Sequence, residues 1–310
     1  MKKIRKIAIV GAGAMGAAYG SMFVDAVGFS VSFVARGERY QRLKKQSFTV
    51  NNRLYNIPVI HPETVSEPAD LILVALKHHH LADAVNDIMT LLDADTVILS
   101  VMNGLESEAI IGAACGMEKM VYAIALGIDA LHENGRFTYN SPGKILFGPI
   151  REQGSGPRLE RIQEALHRAG IPNEIPPDIL RAMWWKFMIN VGINQASAVL
   201  RAPNGVFHKS ADARALMRSL MEEVVALAPR AGIELGEKEI DEWFKILAGL
   251  SPSGKTSMLQ DVEAGRKTEV EIFAGKVVDL GRTHNLPTPV NQTVQHIIRV
   301  IESRSPTLGP

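Results

Sequence analysis

The chain has 310 residues, a net charge of +1 and an apolar content of 46%. This length exceeds that of a usual single domain and predicts two domains, each able to bury its own core. A charge so close to zero gives no general basic surface, which argues against nucleic acid as a partner. The single cysteine, Cys115, excludes an internal disulfide and favours a reducing, cytoplasmic setting.

The N-terminus imitates a secretory signal peptide, because lysines precede an apolar stretch. The glycines at 11, 13 and 16 instead have the spacing of a phosphate-binding turn, and cleavage would remove them. We therefore expect the mature chain to keep its N-terminus. No run approaches the ~18 apolar residues of a membrane helix, so we expect a soluble protein without a membrane partner.

A nucleotide-binding unit is predicted over residues 4–36. An apolar strand at 7–10 leads into the turn Gly11-Ala12-Gly13-Ala14-Met15-Gly16, a small-residue helix at 17–26 and a second strand. Gly11 would permit the tight turn, Gly13 the approach of backbone N–H groups to a pyrophosphate, and Gly16 close packing of helix on strand. A chance glycine-rich turn is the alternative, but the flanking strand and helix favour a dinucleotide site.

Arg36 closes the second strand, at the place where NAD-preferring enzymes carry Asp or Glu for the ribose 2′-hydroxyl. Arg39 and Arg42 follow it. A guanidinium paired with the extra phosphate of NADP gains charge-assisted hydrogen bonds worth roughly 1.5 to 3 kcal/mol. Arg36 therefore favours NADP, and the alternative is an ordinary solvated arginine.

Strands and helices go on alternating, which predicts an α/β fold with a mostly parallel, doubly wound sheet. Residues 48–59 and 137–147 are typical of antiparallel hairpins, the second turning at Ser141-Pro142-Gly143. A proline cluster at 171–177 marks the predicted boundary between an N-terminal Rossmann-type domain, 1–177, and an all-helical C-terminal domain, 178–310. The remaining predicted strands are 71–75, 96–101 and 120–125; the helices are 81–92, 106–114, 159–169, 179–200, 211–231, 240–247, 257–264, 269–283 and 290–302.

A polar stripe lies in the helix predicted over 179–200, on its segment 183–194, which is otherwise apolar almost all round. Lys186, Asn190 and Asn194 lie four residues apart and, at ~100° per residue, fall within roughly 80° of arc. Buried polar groups need partners, so a ligand-filled cleft explains the stripe. The alternative is a lysine paired with a neighbouring carboxylate beside two structural asparagines.

Further candidates lie elsewhere in the chain. Asn103 and Lys77 each follow a predicted strand, and ligands in open α/β sheets bind outside the carboxyl ends of strands. Ser257 and Asp261 share a helix face, and Glu269 opens the next helix, where the dipole alone also favours an acid. For Asn103 a simple Asn-Gly turn is the alternative.

Three successive histidines, His78 to His80, do not indicate a metal site. Side chains at the start of a helix diverge by ~100° per residue and cannot all face one ion. We therefore expect no metal.

Taken together, the motifs resemble the ketopantoate reductase family from end to end. They are the glycine turn, Arg36, Lys77, Asn103-Gly104, Trp185-Lys186 with Asn190 and Asn194, the run from Ser257 to Asp261 and the run from Arg266 to Glu269. The resemblance implies reduction of 2-dehydropantoate to pantoate by NADPH, a step of pantothenate and coenzyme A synthesis.

The resemblance also implies residue roles. Lys186 matches the catalytic lysine, and Glu269 an orienting acid near the substrate hydroxyl. Asn190, Asn194 and Ser257 match substrate-binding positions, and Asn103 the junction of cofactor and substrate. Residues 11–16, Arg36 and Lys77 match the positions that bind the cofactor.

Two departures leave the substrate open. The family often has Gln where this chain has Met102, and Asp where it has Glu271. A reductase of another small 2-oxo acid is one alternative, and a non-catalytic NADP-binding or sensing protein is another. The sequence leaves the oligomeric state open, with a homodimer among the alternatives.

Overall fold

A computed structural model describes residues 3–133, 135–149 and 156–304 of the chain. The chain divides into two compact units, with the division between Ala182 and Met183. The expected boundary after residue 177 stays a prediction. No helix among the described residues is long and apolar enough to cross a membrane.

The first unit contains every strand found in the described residues. Its strands are β1 (Lys6–Val10), β2 (Ser30–Val34), β3 (Phe48–Val50), β4 (Arg53–Tyr55), β5 (Val59–Ile60), β6 (Leu71–Val74), β7 (Val97–Ser100), β8 (Met120–Ile128), β9 (Leu131–Glu133), β10 (Arg136–Thr138), β11 (Pro142–Gly148) and β12 (Asn173–Glu174). Its helices are α1 (Ala14–Asp25), α2 (Gly37–Lys44), α3 (Leu81–Met89), α4 (Ser107–Cys115) and α5 (Pro157–Arg168).

The main sheet has the strand order β12-β11-β8-β7-β6-β1-β2-β5. All neighbouring strands are parallel except β8 and β11. From β1 the chain adds β2 and β5 on one side and β6, β7 and β8 on the other. This reversal at β1 is the doubly wound arrangement of a Rossmann-type sheet. The predicted α/β fold class is confirmed.

Residues of β1 alternate between two hydrophobic cores, one on each face of the sheet. Ile7 and Ile9 pack in one core with residues of α1 and α5. Ala8 and Val10 pack in the other with residues of α3 and α4. Because successive strand residues point to opposite faces, a strand buried on both sides must be apolar throughout.

The second predicted hairpin is wrong. β10 belongs to a separate four-stranded sheet of order β4-β3-β10-β9, whereas β11 pairs antiparallel with β8 in the main sheet. Residues 137–147 thus leave one sheet and enter another. The sequence shows a turn at Ser141 to Gly143 but does not show which strand each arm pairs with, because strand pairing is a long-range contact.

All regular elements among the described residues of the second unit are helical, as predicted. Its elements are α6 (Ile179–Ile189, which begins in the first unit), a π-helical turn (Asn190–Asn194), α7 (Gln195–Leu200), α8 (Asn204–Lys209), α9 (Ala211–Leu227), α10 (Glu237–Ala248), α11 (Ser257–Glu263), α12 (Ala274–His284) and α13 (Pro289–Ser303).

Two predicted helices are interrupted. The helix expected over 179–200 contains the π turn. The helix expected over 269–283 starts with a 3₁₀ turn, Val270–Ile272, and a break at Phe273, and is α-helical only from Ala274 onward. Phe273 has φ −104° and ψ −89°, which are not helical angles. Apolar periodicity detects which face is buried and is nearly insensitive to such local changes in winding.

Candidate active site

The glycine turn follows β1 directly, and two of its glycines have no room for a side chain. Gly11 has φ +120°, and a Cβ there would lie 2.4 Å from the carbonyl oxygen of Ala75. A Cβ on Gly16 would lie 1.8 Å from the carbonyl oxygen of Gly11. These two glycines are therefore required by the fold itself.

Gly13 differs, because a Cβ there would meet nothing within 4 Å. It precedes α1, whose first turn carries no acidic residue and receives no side-chain cap. The first N–H groups of a helix lack partners within the helix and attract anions. The open space at Gly13 thus fits a phosphate group of a dinucleotide.

Four strands deliver candidate residues to one edge of the sheet. Val10 is in register with Val34 and Val74, and Val74 with Ser100. Parallel strands in register end together, so the segments that follow them emerge at the same edge. The candidates carried by those segments are the glycine turn after β1, Arg36 after β2, Lys77 after β6 and Asn103 after β7.

Arg36 is half-exposed at the N-cap position of α2, where its side chain makes no capping hydrogen bond. Its Nε forms an ion pair with the carboxylate of Asp87 in α3. Asp87 is buried, and burial raises the pKa of its carboxyl, while the Arg36 guanidinium opposes that rise. Asp87 is not among the residues predicted from the sequence. Nε carries one of the five N–H donors of an arginine side chain, so this pair leaves the four N–H donors of the two Nη atoms for other partners.

The polar stripe of the second unit lies across the change from α-helix to π-helix. Lys186 is in the last turn of α6, and Asn190 and Asn194 are the first and last residues of the π turn. π turns inside α-helices occur frequently at functional sites.

A small residue allows α9 to pack against this π turn. A Cβ on Gly192 would lie 2.4 Å from Met221 Cε and 2.7 Å from its Cγ. Asn194 is buried, and Asn190 and Lys186 are partly buried. The stripe is thus supported from behind by a close helix contact.

Two buried donors near Lys186 have no hydrogen-bond partner among the described residues. They are Nδ2 of Asn190 and Nε1 of Trp185. A buried N–H without an acceptor costs free energy on the order of 1–3 kcal/mol, so native structures seldom retain one without a reason. Both groups could donate to a ligand oxygen.

Glu269 is buried and precedes the 3₁₀ turn rather than opening a long helix, which corrects the sequence expectation. Its neighbour Thr268 donates from both its backbone N and its Oγ1 to Oε1 of Glu302, at 2.7 and 2.6 Å. Thr268 Oγ1 also accepts from the backbone N of Val270 at 3.2 Å. The backbone on both sides of Glu269 is therefore fixed.

Glu271, one of the two departures from the family pattern, has a structural role here. Arg299 donates to it twice, with Nε and Nη2 each at 2.7 Å, and Gln295 Nε2 donates to it at 3.0 Å. The Arg299 guanidinium holds the pKa of the Glu271 carboxyl below its usual value. These bonds join the 3₁₀ turn to α13.

Ser257 and Asp261, expected to share a helix face, both lie in α11 but differ in burial. Ser257 is exposed at the start of α11, whereas Asp261 is buried and its Oδ1 accepts from Arg266 Nε at 3.0 Å. The cap of α11, Thr256, hydrogen-bonds Ser197 of α7 at 2.6 Å. Asp261 thus orders the loop that precedes Thr268, and Ser257 remains accessible to a ligand.

The triple histidine forms a 3₁₀ turn, His78–His80, with the rings of His79 and His80 in contact at 4.2 Å between centroids. Within the described ranges no group of three or more His, Cys, Asp or Glu side chains is arranged to hold a metal ion.

A polar network that was not predicted from the sequence lies behind the stripe and centres on Gln195. A glutamine immediately after Asn194 in an apolar helix was a signal for it. Its side chain is fully buried and bonds to Val191, Asn291 and Ala274.

Comparison with known proteins matches both units. The family model "Ketopantoate reductase PanE/ApbA" matches residues 7–152, and its C-terminal counterpart matches residues 178–302. A 2-dehydropantoate 2-reductase of Archaeoglobus fulgidus is 28% identical over 301 residues, covering 97% of this chain and 99% of that protein.

Solved structures share the fold. A ternary structure of D-mandelate dehydrogenase with NADH and anilino(oxo)acetate has a TM-score of 0.86 at 22% identity, covering 96% of this chain and 98% of that one. A dimeric ketopantoate reductase from Staphylococcus aureus has a TM-score of 0.82 at 22% identity, covering 97% and 99%. Because the family models together span most of the sequence, the chain belongs to the ketopantoate reductase family of oxidoreductases.

Proposed function

We propose that this protein reduces 2-dehydropantoate to pantoate with NADPH, in the synthesis of pantothenate. The observation that carries the proposal is the buried, unpartnered Nδ2 of Asn190, one turn from Lys186. An oxygen-rich anion such as a 2-oxo acid would supply the acceptor that this donor lacks. Asn194 and Ser257 are proposed as further substrate contacts.

The dinucleotide is assigned to the edge of the main sheet. Backbone N–H groups of residues 11–16 would bind the pyrophosphate, with the space at Gly13 allowing close approach. Arg36 and Lys77 would bind the 2′-phosphate, and Asn103 would lie near the reacting end. When bound, the cofactor supplies a hydride for the C2 carbonyl carbon of the substrate.

Lys186 is the proposed proton donor. Addition of hydride to C2 leaves negative charge on the carbonyl oxygen, which needs both a positive neighbour and a proton. A lysine ammonium provides both through Nζ. Glu269, fixed by the Thr268 and Val270 bonds, is proposed to orient the substrate hydroxyl.

A substrate panel tests this function. Purified protein is mixed with NADPH and, in turn, with 2-dehydropantoate, other branched 2-oxo acids and phenylglyoxylate, and absorbance at 340 nm is followed. We expect the largest kcat/KM with 2-dehydropantoate. A clear preference for another acid would replace the substrate, and NADPH binding without any loss of absorbance would make the protein a non-catalytic binder.

The aromatic acid is included because the D-mandelate dehydrogenase fold neighbour binds anilino(oxo)acetate, which also carries a 2-oxo acid group. A homodimer, as in the Staphylococcus aureus enzyme, and a cytoplasmic location remain part of the proposal.

Replacing Arg36 by glutamine should weaken NADPH binding by about tenfold or more while changing NADH binding by less than about twofold. Only NADPH carries the 2′-phosphate, and a charge-assisted hydrogen bond is worth roughly 1.5 to 3 kcal/mol. Glutamine is chosen over aspartate because a second carboxylate would face Asp87. Fluorescence titration with each cofactor gives the two dissociation constants.

Arg42→Gln is the matched control, because Arg42 lies on the same helix and is exposed. It should leave both dissociation constants unchanged. An equal loss of NADPH and NADH affinity in Arg36→Gln would mean that Arg36 supports the fold of the site rather than cofactor choice.

A further inference from the structure

We infer that Gln195 is a positioning residue that fixes the substrate-binding π turn relative to the segment that follows Glu269. This inference rests on the proposed function, because it assigns Asn190, Asn194 and Glu269 to one substrate. Gln195 itself is fully buried and does not reach solvent, so it acts through the residues it bonds.

The Gln195 side chain joins three separate segments of the second unit. Its Nε2 donates to the carbonyl oxygen of Val191, inside the π turn, at 2.9 Å. The same nitrogen donates to Oδ1 of Asn291 in α13 at 3.0 Å. Its Oε1 accepts from the backbone N of Ala274, the first residue of α12, at 3.0 Å.

The orientation of this amide is fixed by its backbone partners. The carbonyl of Val191 can only accept, and the N–H of Ala274 can only donate, so Nε2 must face Val191 and Oε1 must face Ala274. Asn291 is then required to accept with Oδ1. It does so while its Nδ2 donates to Glu223 Oε2 at 2.7 Å and to the carbonyl of Leu220 at 3.2 Å.

Both ends of this link carry proposed substrate residues. Val191 lies between Asn190 and Asn194, and Ala274 follows the break at Phe273 that ends the turn after Glu269. Thr268 fixes the other end of that turn to Glu302. Without the Gln195 link, the turn would still be held to α13 through Thr268 and Glu271. It would lose its connection to the π turn at Ala274, and the π-turn carbonyl of Val191 would lose a partner.

Only an amide of this length meets all three demands. Glutamate keeps an oxygen that can accept from the backbone N of Ala274. In place of the amide NH₂, however, it puts a second oxygen next to two other oxygens, the Val191 carbonyl and Asn291 Oδ1. Methionine keeps the approximate volume and offers no strong donor or acceptor. The two substitutions therefore separate the π-turn contact from the α12 contact.

The test compares Gln195→Met, Gln195→Glu and the wild type by hydrogen exchange and by steady-state kinetics. For Gln195→Met we expect faster amide exchange both in residues 190–195 and in residues 270–276. For Gln195→Glu, amide exchange should become faster mainly in residues 190–195. If Gln195→Met does not fold, Gln195→Glu alone provides the test. In both, KM for the 2-oxo acid should rise about tenfold, with the dissociation constant for NADPH within about twofold.

His208→Leu is the matched control, because it also removes a side-chain bond to a backbone carbonyl, from His208 Nε2 to Leu247 at 2.8 Å. It should lower the melting temperature without raising KM. The inference is overturned if His208→Leu raises KM as much, if KM in the Gln195 variants stays within twofold of wild type, or if exchange in Gln195→Met rises in one segment only. If the wild type reduces no 2-oxo acid, the proposed function fails instead, and the exchange data alone decide the coupling.

Discussion

Replacing Lys186 by alanine is expected to lower kcat by about 10²- to 10⁴-fold, the usual contribution of a positioned general acid. The developing alkoxide would lose both its positive neighbour and its proton source. Because Lys186 is assigned to the substrate and not to the cofactor, the dissociation constant for NADPH should change by less than about twofold. Single-turnover oxidation of NADPH and fluorescence titration provide the two measurements.

A second substitution separates the two roles of this lysine. Arg keeps a positive charge but cannot release a proton in a protein, so Lys186→Arg should be nearly as slow as Lys186→Ala if proton donation limits the rate. Activity close to wild type in Lys186→Arg would leave charge stabilisation as its only role. Lys209→Ala, at an exposed lysine of the same unit, should leave kcat unchanged. Near-normal turnover in Lys186→Ala would remove Lys186 from the mechanism.

The elements that the sequence predicts best are those whose signals are local. Short segments are enough to predict the apolar run of β1, the glycine spacing, and the places of Lys77 after β6 and Asn103 after β7. A parallel sheet then brings these features to one edge. Arg36 could be placed at that edge as well. Its partner Asp87 could not, because the ion pair joins the residue before α2 to α3, a long-range contact.

The second unit shows the opposite limit. Helical periodicity identified the stripe of Lys186, Asn190 and Asn194, but it could not reveal that the last two lie in a π turn. Two contacts support that turn: the close packing of Met221 on Gly192, and the hydrogen bond from the Gln195 side chain to the carbonyl of Val191. The first of these is a long-range contact. The break at Phe273 likewise depends on the bond from Ala274 to Gln195, seventy-nine residues apart.

A substitution in the glycine turn should weaken cofactor binding strongly while changing the stability of the fold only slightly. Gly13→Val should weaken NADPH binding by about a hundredfold or more, because its side chain would fill the space where a Cβ meets nothing within 4 Å. The backbone at Gly13 is extended, with φ −86° and ψ −168°, which valine adopts readily. Loss of a good N-cap residue costs about 1 kcal/mol, so the melting temperature should fall by only about 2 to 4 °C.

Gly16→Ala should have the opposite effect, a large loss of stability without a direct effect on cofactor binding. Its Cβ would lie 1.8 Å from the carbonyl oxygen of Gly11, a backbone atom that cannot yield without moving β1 or α1. We expect a large fall in melting temperature or insoluble protein, with cofactor affinity lost only as a consequence of unfolding. If Gly13→Val instead retained wild-type affinity for NADPH, the dinucleotide would have to bind away from this turn, and the roles proposed for Arg36 and Lys77 would fail with it.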